Sequence, residues 1–403
     1  MATVSALGTN YNLPNYHGRV HYLTPSDTPF TTALMGTSGL EVETARTFEW
    51  TTADLRAAAQ NTVVDGDSAG TPENRDRSNV FNVLQTHRED VGVSYERAAQ
   101  FGQFDGRNID AGPNIVDEAA WQIDQMWKQI KRDIEYSLIN GAYVLPGDNN
   151  SAAQTRGILA AITTNALDSS DADANGIGVA TSADSDDTLD LDAVHGLSVG
   201  DDFYFSDLTG GSGVDEDTRY YVIEVVDTDS LKFSATKGGA AVDFGSDITD
   251  GVFVPYAEPT IQSVEALMQS AFDNGGLSES EMGLLVVNSG LKRWLTKVFV
   301  HDTGTNVRSR NVGGANVQVI ETSFGELGIM LNRYVPQGTL AAVSLDQCKA
   351  HVREIPGKGV MFAEPLGKDG ASDKTQLYTS VGLEYGNEAA HAKDTGFTAN
   401  SPA

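Results

Sequence analysis

Cysteine is the scarcest residue in the sequence: Cys348 is the single one among 403. One thiol can neither close a disulfide within the chain nor build a thiolate zinc cluster. It follows Leu345-Asp346-Gln347 and reads as a small buried hydrophobe, because no histidine is nominated as the partner a nucleophile needs. Long apolar runs are also missing. No window approaches the roughly 18 uncharged apolar residues of a membrane helix, so no membrane partner is expected. Met1–Gly8 lacks the basic region and apolar stretch of a secretory signal, and an exported protein is not expected. Positive charge is short, with 27 Lys and Arg against 56 Asp and Glu, and the net charge is −29. Such a chain repels phosphate backbones, which argues against sequence-specific DNA binding. Phosphate-binding loops, dinucleotide fingerprints and His-Glu-x-x-His are absent; Gly-x-Ser-x-Gly occurs only in the polar, turn-rich stretches Gly66–Gly70 and Gly196–Gly200, not as a nucleophile elbow, and no enzyme chemistry emerges.

The acid is concentrated. Residues 165–257 hold 20 Asp or Glu and three bases, Arg219, Lys232 and Lys237, so this block alone carries −17. Within it, Phe203-Tyr204-Phe205, Tyr220-Tyr221-Val222-Ile223, Leu231-Lys232-Phe233 and Val252-Phe253-Val254 are short apolar pulses between Gly, Asp and Ser turns. That pattern predicts an inserted antiparallel β domain. Its entry contains Asp171-x-Asp173-x-Asn175-Gly176, which copies positions one, three, five and six of a calcium loop. Asp171, Asp173 and Asn175 are therefore metal-ligand candidates, and bound cations in the Asp-rich loops are the one cofactor expected. Position twelve is Ser182 where a bidentate Glu belongs, so a solvated acidic loop is the competing reading. His17 and His21 have metal-ligand spacing on a helix, but Pro14 and Gly18 argue against that helix.

Residues 1–39 show no apolar period among Pro14, Gly18, Pro25, Pro29, Gly36 and Gly39, which predicts an extended arm that orders on a partner. Val42, Thr44, Arg46, Phe48 and Trp50 alternate on one face, and Val91, Val93 and Tyr95 do the same. These two strand regions are joined by polar, turn-rich residues 51–79, so a long protruding hairpin is expected. Ile115, Ala119, Ile123, Trp127, Ile130, Ile134 and Leu138 form one face of a helix over 113–140, closed by Asn140-Gly141. Further on, the pattern predicts a helix over 260–273, a buried strand at 284–287, and a helix capped by Ser289. A Gly-rich loop is expected over 301–315, followed by strands near 317–320, 328–331, 340–345, 350–355 and 376–385. The fold class is α+β with an antiparallel bias.

Taken in order along the chain, these parts resemble the major capsid proteins of tailed viruses, which share the Hong-Kong-97-like fold. The resemblance rests on Thr24-Pro25-Ser26-Asp27-Thr28-Pro29-Phe30, Phe48-Glu49-Trp50, Lys131-Arg132-Asp133-Ile134-Glu135 with Gly141, and Arg156-Gly157-Ile158. Leu291-Lys292-Arg293, Asn332-Arg333-Tyr334-Val335-Pro336 and Glu384-Tyr385-Gly386-Asn387-Glu388-Ala389-Ala390 complete it.

The resemblance implies an N-terminal arm at 1–39, an E-loop hairpin at 40–95 and a peripheral domain at 96–164 containing the spine helix 113–140. An inserted acidic β domain at 165–257, an axial domain at 258–345, and a return to the peripheral domain with the C-terminal strand at 346–403 follow. It also implies a virion protein, made in the host cytoplasm, that assembles with itself as pentamers and hexamers into an icosahedral shell. That shell encloses double-stranded DNA without reading its sequence, with scaffold, portal and cement proteins as further partners. One departure stands out: residues 40–95 contain Arg46, Arg56, Arg75, Arg77 and Arg88 but no Lys, and Lys128 is the first lysine. The acid fits either an outward, solvated module or a salt-loving host. An acidic, β-rich extracellular surface-layer or adhesin protein is the alternative.

Overall fold

The computed structural model describes residues 23–68, 70–71, 73–99, 118–148, 150–170, 175–182, 187–277, 283–302, 308–312, 315–367 and 370–400. The first element is a helix that the turn-rich composition hides. α1 (Pro29–Thr37) has proline in its first turn, where the missing N–H is harmless, and it buries Phe30, Ala33 and Leu34 in the main core. This end of the arm therefore packs on its own chain, contrary to the extended segment expected. Residues 1–22 lie outside the described residues.

The apolar alternation over 40–50 is divided. β1 (Leu40–Glu43) and β2 (Thr47–Ala53) are separated by a bend and belong to different sheets. β2 pairs antiparallel with β3 (Arg77–Val83), Thr47 opposite Val83 and Ala53 opposite Arg77, and the two strands carry the loop 54–76. β4 (Gln85–Ser94) follows at once but enters the main sheet, burying His87, Val91 and Val93. Tyr95 leaves the expected alternation: it is exposed and opens the short α2 (Tyr95–Ala99).

α3 (Glu118–Asn140) is the described part of the expected long helix; residues 113–117 lie outside the described residues. Ile130, Ile134 and Leu138 are buried on its inner face, with Ile123 and Trp127 packed against the same cluster. Its end is set by a close backbone approach. A Cβ on Gly141 would stand 2.3 Å from the Thr155 carbonyl oxygen, and one on Gly157 would stand 2.6 Å from the Gly141 nitrogen. Side chains there would pry α3 from the segment entering α4 (Ile158–Ala161).

β5 (Ala166–Leu167) leads into a six-stranded sheet of β6 (Ile177–Gly178), β7 (Leu189–Asp190), β8 (Asp202–Gly210), β9 (Tyr220–Val225), β10 (Ser230–Ser234) and β11 (Ile248–Pro255), in the order β6-β11-β8-β9-β10-β7. The neighbouring strands with recorded register are antiparallel. Alternate residues of the four apolar pulses face one aromatic core, where Phe203, Phe205, Tyr220, Phe233 and Phe253 meet at centroid distances of 4.3–6.4 Å.

α5 (Ile261–Asp273) begins with a reciprocal cap between Thr260 and Ser263. β12 (Gly283–Val287) is buried throughout. α6 (Ser289–Leu295) is capped by Asn288, whose side chain accepts from the Leu291 amide at 2.9 Å, so Ser289 is the first helical residue and not the cap. β13 (Arg308–Val312) occupies part of the expected loop 301–315, because it pairs with β14 (Ala315–Thr322). β15 (Gly325–Leu331) and β16 (Leu340–Val343) complete the central strands. β17 (Lys349–Arg353), β18 (Met361–Pro365), β19 (Ser372–Glu384) and β20 (Ala392–Asp394) end the chain.

Two further sheets result. One has the order β13-β14-β15-β12-β16-β20-β5, and the other β1-β17-β19-β18, with β4 also on β19. The antiparallel bias holds with exceptions, since β12 and β15, β1 and β17, and β20 and β5 are parallel pairs. Both ends of the acidic segment rest on the C-terminal stretch: β5 pairs with β20, and Ala257 bridges Phe397.

Candidate assembly surface

The sequence-derived cation candidates do not gather into a described site. Asp171 and Asp173 lie outside the described residues, and the Asn175 side-chain amide donates to the Ser170 carbonyl at 2.7 Å. Cys348 is buried beside His391, its Sγ 3.9 Å from Nε2, and burial pushes the thiol well up, away from nucleophilic use. His391 itself sits against the Tyr385 carbonyl at 2.9 Å, and burial pushes it down.

What the chain exposes is the hairpin. Its tip carries Val63 and Val64 at 72% and 77% exposure, and Leu55, just past the end of β2, stands at 80%, all without cover from the described residues of their own chain. Its root is rigid. Trp50 Nε1 donates to the Gly386 carbonyl at 2.8 Å, and its ring meets Tyr385 edge-on at 4.9 Å. Phe48 stacks on His351 at 4.2 Å. Beside the root lies a groove of about 1080 Å³ lined by Trp50, Asp54, Arg75, Asp76, Asn274 and Glu384 among others. A pinned base with an uncovered apolar tip suits contact with another molecule.

Several of the quoted motifs converge on α3. Glu135 is buried, and its carboxylate accepts from the Phe30 amide at 2.8 Å and the Thr31 amide at 2.7 Å, as well as from the Thr31 hydroxyl and the Asn332 side-chain amide. Burial pushes this carboxyl above its ordinary range, against the downward pull of the same donors. Arg132 Nε donates to the Tyr334 hydroxyl at 3.0 Å, and Asn140 donates to the Tyr334 carbonyl at 2.7 Å. Arg333 pairs with Asp27 at 2.9 Å, and this ion pair with its hydrogen bond holds the Asp27 carboxyl below the usual range. Arg156 donates to the Tyr385 hydroxyl at 3.1 Å, while Asn82 bridges the Arg156 and Leu383 carbonyls at 3.1 and 2.7 Å. The motifs are thus the fastenings of the arm, spine and C-terminal strand to one another.

The acidic sheet is fastened as well. Asp202 is buried in an ion pair with Arg219 and accepts from the Ala399 amide at 2.8 Å. The Arg219 guanidinium lies 3.6 Å over the Tyr256 ring and donates to the Gln337 and Phe397 carbonyls at 3.2 Å each. Sequence reading missed this anchor, and it missed the convergence of Glu41, Glu43 and Glu384 around His351. Glu43 lies 308 positions from His351 and Glu384 lies 33, so no local pattern joins them; the pairing of β17 with β1 and β19 brings them together.

No curated protein matches the chain by sequence. Among solved structures it is similar to the capsid of cyanophage A-1(L), at 11% identity and TM-score 0.50, covering 96% of this chain and 98% of that one. It is also similar to the capsid of cyanophage P-SCSP1u, at 9% identity, TM-score 0.48, and 96% and 93% coverage. The SrpI encapsulin of Synechococcus elongatus is similar at 10% identity, TM-score 0.47, and 99% and 97% coverage. The fold is the Hong-Kong-97-like capsid fold. Among the described residues no helix is long and apolar enough to cross a membrane. The model of the SU10 major capsid protein family matches residues 3–398, and the chain belongs to that family: it is a structural protein of a tailed-virus shell that assembles with itself, not an enzyme.

Proposed function

We propose that the chain tiles the icosahedral shell as hexamers and pentamers around packaged double-stranded DNA, its hairpin reaching over a neighbouring subunit. The observation that carries this reading is the apolar, uncovered tip on a root pinned by Trp50. Such a tip gains from burial against a second copy about 25 cal/mol per Å². In this reading residues 1–39 form the arm, 40–95 the E-loop, 96–164 with 346–403 the peripheral domain, and 258–345 the axial domain. Residues 165–257 are an inserted domain, a division supported by its separate aromatic core and by entry and exit strands that meet on the same C-terminal stretch. Its charge directs it outward, since −17 facing DNA would add repulsion inside the shell. Scaffold, portal and cement proteins are the further partners. Cations in the Asp-rich loops, around Asp171, Asp173 and Asn175, are the proposed ligands of the insertion.

The test is electron microscopy of the purified chain and of a variant with residues 55–75 replaced by a short Gly-Ser turn. Closed angular shells from the parent, and soluble capsomers or monomers from the variant, are expected. Normal shells from the variant would remove the role given to the hairpin. Flat lattices from the parent would instead favour a surface-layer protein.

A further inference from the structure

We propose that the hairpin root holds a first-row divalent cation of the zinc class, ligated by His351, Glu384 and Glu41. The site lies on three adjacent strands, β1, β17 and β19, immediately before the chain enters the hairpin at β2. One oxygen each of Glu41 and Glu384 and a ring nitrogen of His351 lie within 4.8 Å of one another. The His351 side chain is 5% exposed, and its ring plane is held by stacking on Phe48. Nε2 faces Glu384 Oε2 at 2.6 Å, and Nδ1 faces Glu43 Oε1 at 3.1 Å.

Three features point to a metal ion. First, the set mixes one imidazole with carboxylates, a donor combination suited to zinc and its neighbours more than to magnesium. Second, three carboxylates surround the imidazole, and Lys349 touches only the outermost, Glu41, at a loose 3.7 Å. A divalent ion offsets that mutual repulsion in a partly dry setting far better than a single proton does. Third, Nδ1–H would donate to Glu43 while Nε2 binds the ion, which is the carboxylate–histidine–metal arrangement that fixes a ligating ring. Entry of the ion requires the Glu384 carboxylate to turn, widening its 2.6 Å contact to about 3.3 Å, the separation of two ligands about 2.0–2.1 Å from one tetrahedral ion. Glu41 is exposed and gives the ion a path in from solvent and room for water as a fourth ligand. The ion would tie the strand leading into the hairpin to the two strands behind it, and so hold the hairpin's angle.

The experiment is calorimetric titration of Zn²⁺ into the purified full-length chain, paired with melting curves with and without the ion. One equivalent per chain and a raised midpoint are expected, with no heat from Mg²⁺ at the same concentration. Glu41→Gln is a surface change that keeps the fold, and it should weaken Zn²⁺ affinity about tenfold or more. Glu384→Gln should do the same, and His351→Ala should abolish the site. Zn²⁺ binding of unchanged affinity in both Gln variants would put the ion elsewhere and overturn the proposal. So would absence of binding at about 1 mM Zn²⁺ by a parent chain that melts cooperatively.

Discussion

The amide of Phe30 donates to the Glu135 carboxylate at 2.8 Å across 105 residues of chain, and the Thr31 amide joins it at 2.7 Å. A side chain of the spine helix thereby caps the first turn of α1, where unpaired amides and the helix dipole both favour negative charge. Asn332, at the end of β15, donates to the same carboxylate. One buried group therefore joins arm, spine and central sheet.

Removing that acceptor should be costly. Glu135→Gln presents an amide N–H to donors already in place, and Glu135→Ala leaves them unpaired in a dry site. Each should lose about 2–4 kcal/mol of stability, the range for an orphaned buried polar cluster. Urea denaturation followed by tryptophan fluorescence reads the loss, and a midpoint equal to the parent's would show that the cap is idle.

Trp50 separates two contributions to the hairpin root. Trp50→Phe keeps an aromatic ring against Tyr385 but loses the bond to the Gly386 carbonyl, an expected cost of about 1 kcal/mol. Trp50→Ala loses the packing too and should cost about 3 kcal/mol. Chemical denaturation gives both values. Equal losses in the two variants would mean that the hydrogen bond alone carries the contact.

These two anchors also show where sequence reading stops. The strands through Phe203–Phe205, Tyr220–Ile223, Leu231–Phe233 and Val252–Val254 were legible because their signal is local: apolar pulses between turns. The face of α3 at Ile123, Trp127, Ile130, Ile134 and Leu138 was legible for the same reason. α1 was not, since its nine residues are too few to show a helical period and its cap comes from Glu135, far away in sequence. The division of 40–50 into β1 and β2 was hidden because alternation continues through the bend while the pairing partner changes from β17 to β3. The Asp171, Asp173 and Asn175 pattern was visible because it is contiguous. The His351 cluster is its opposite, assembled wholly by sheet pairing.

Acid should destabilise the fold through its buried histidines. Burial holds His87 at about 4, below the ordinary histidine value of 6.5, and pushes His391 in the same direction. A folded value below the unfolded one means that the unfolded chain binds the extra proton first. The contribution is therefore fully present above about pH 6.5 and is lost as pH falls toward 4. For His87 the loss reaches about 3 kcal/mol at 1.36 kcal/mol per unit. Melting midpoints measured from pH 7 to 4 should fall, and His87→Leu should flatten part of the slope. An unchanged slope in that variant would exclude His87 as the source.

Particles should dissolve fully into single chains on boiling in denaturant. A lysine isopeptide crosslink needs an amine on the hairpin, and residues 40–95 carry only guanidinium groups, which stay protonated and are poor nucleophiles. A denaturing gel should show one band near 42.9 kDa. A ladder of covalent multimers would contradict this.

The acidic insertion makes a prediction about salt. Its −17 is spread around an aromatic core, and one of its three bases, Arg219, is already engaged by Asp202. At 0.1 M salt like charges repel over about 10 Å, and at 1 M over about 3 Å. If the domain projects outward, most of that repulsion is relieved by water and counterions, and the melting midpoint of particles should stay nearly flat between these concentrations. If the shell belongs to a salt-loving host, cations are part of the folded state, and the midpoint should drop steeply as salt falls from molar to about 0.1 M. The anchor distinguishes insertion from shell: Arg219→Ala removes the ion pair with Asp202 and the contacts to Gln337 and Phe397. The variant should release the domain and leave shell closure intact. A flat midpoint with well-formed shells supports the outward, solvated module; a steep one assigns the charge to a saline environment; and a density map with the insertion lining the lumen would remove both readings.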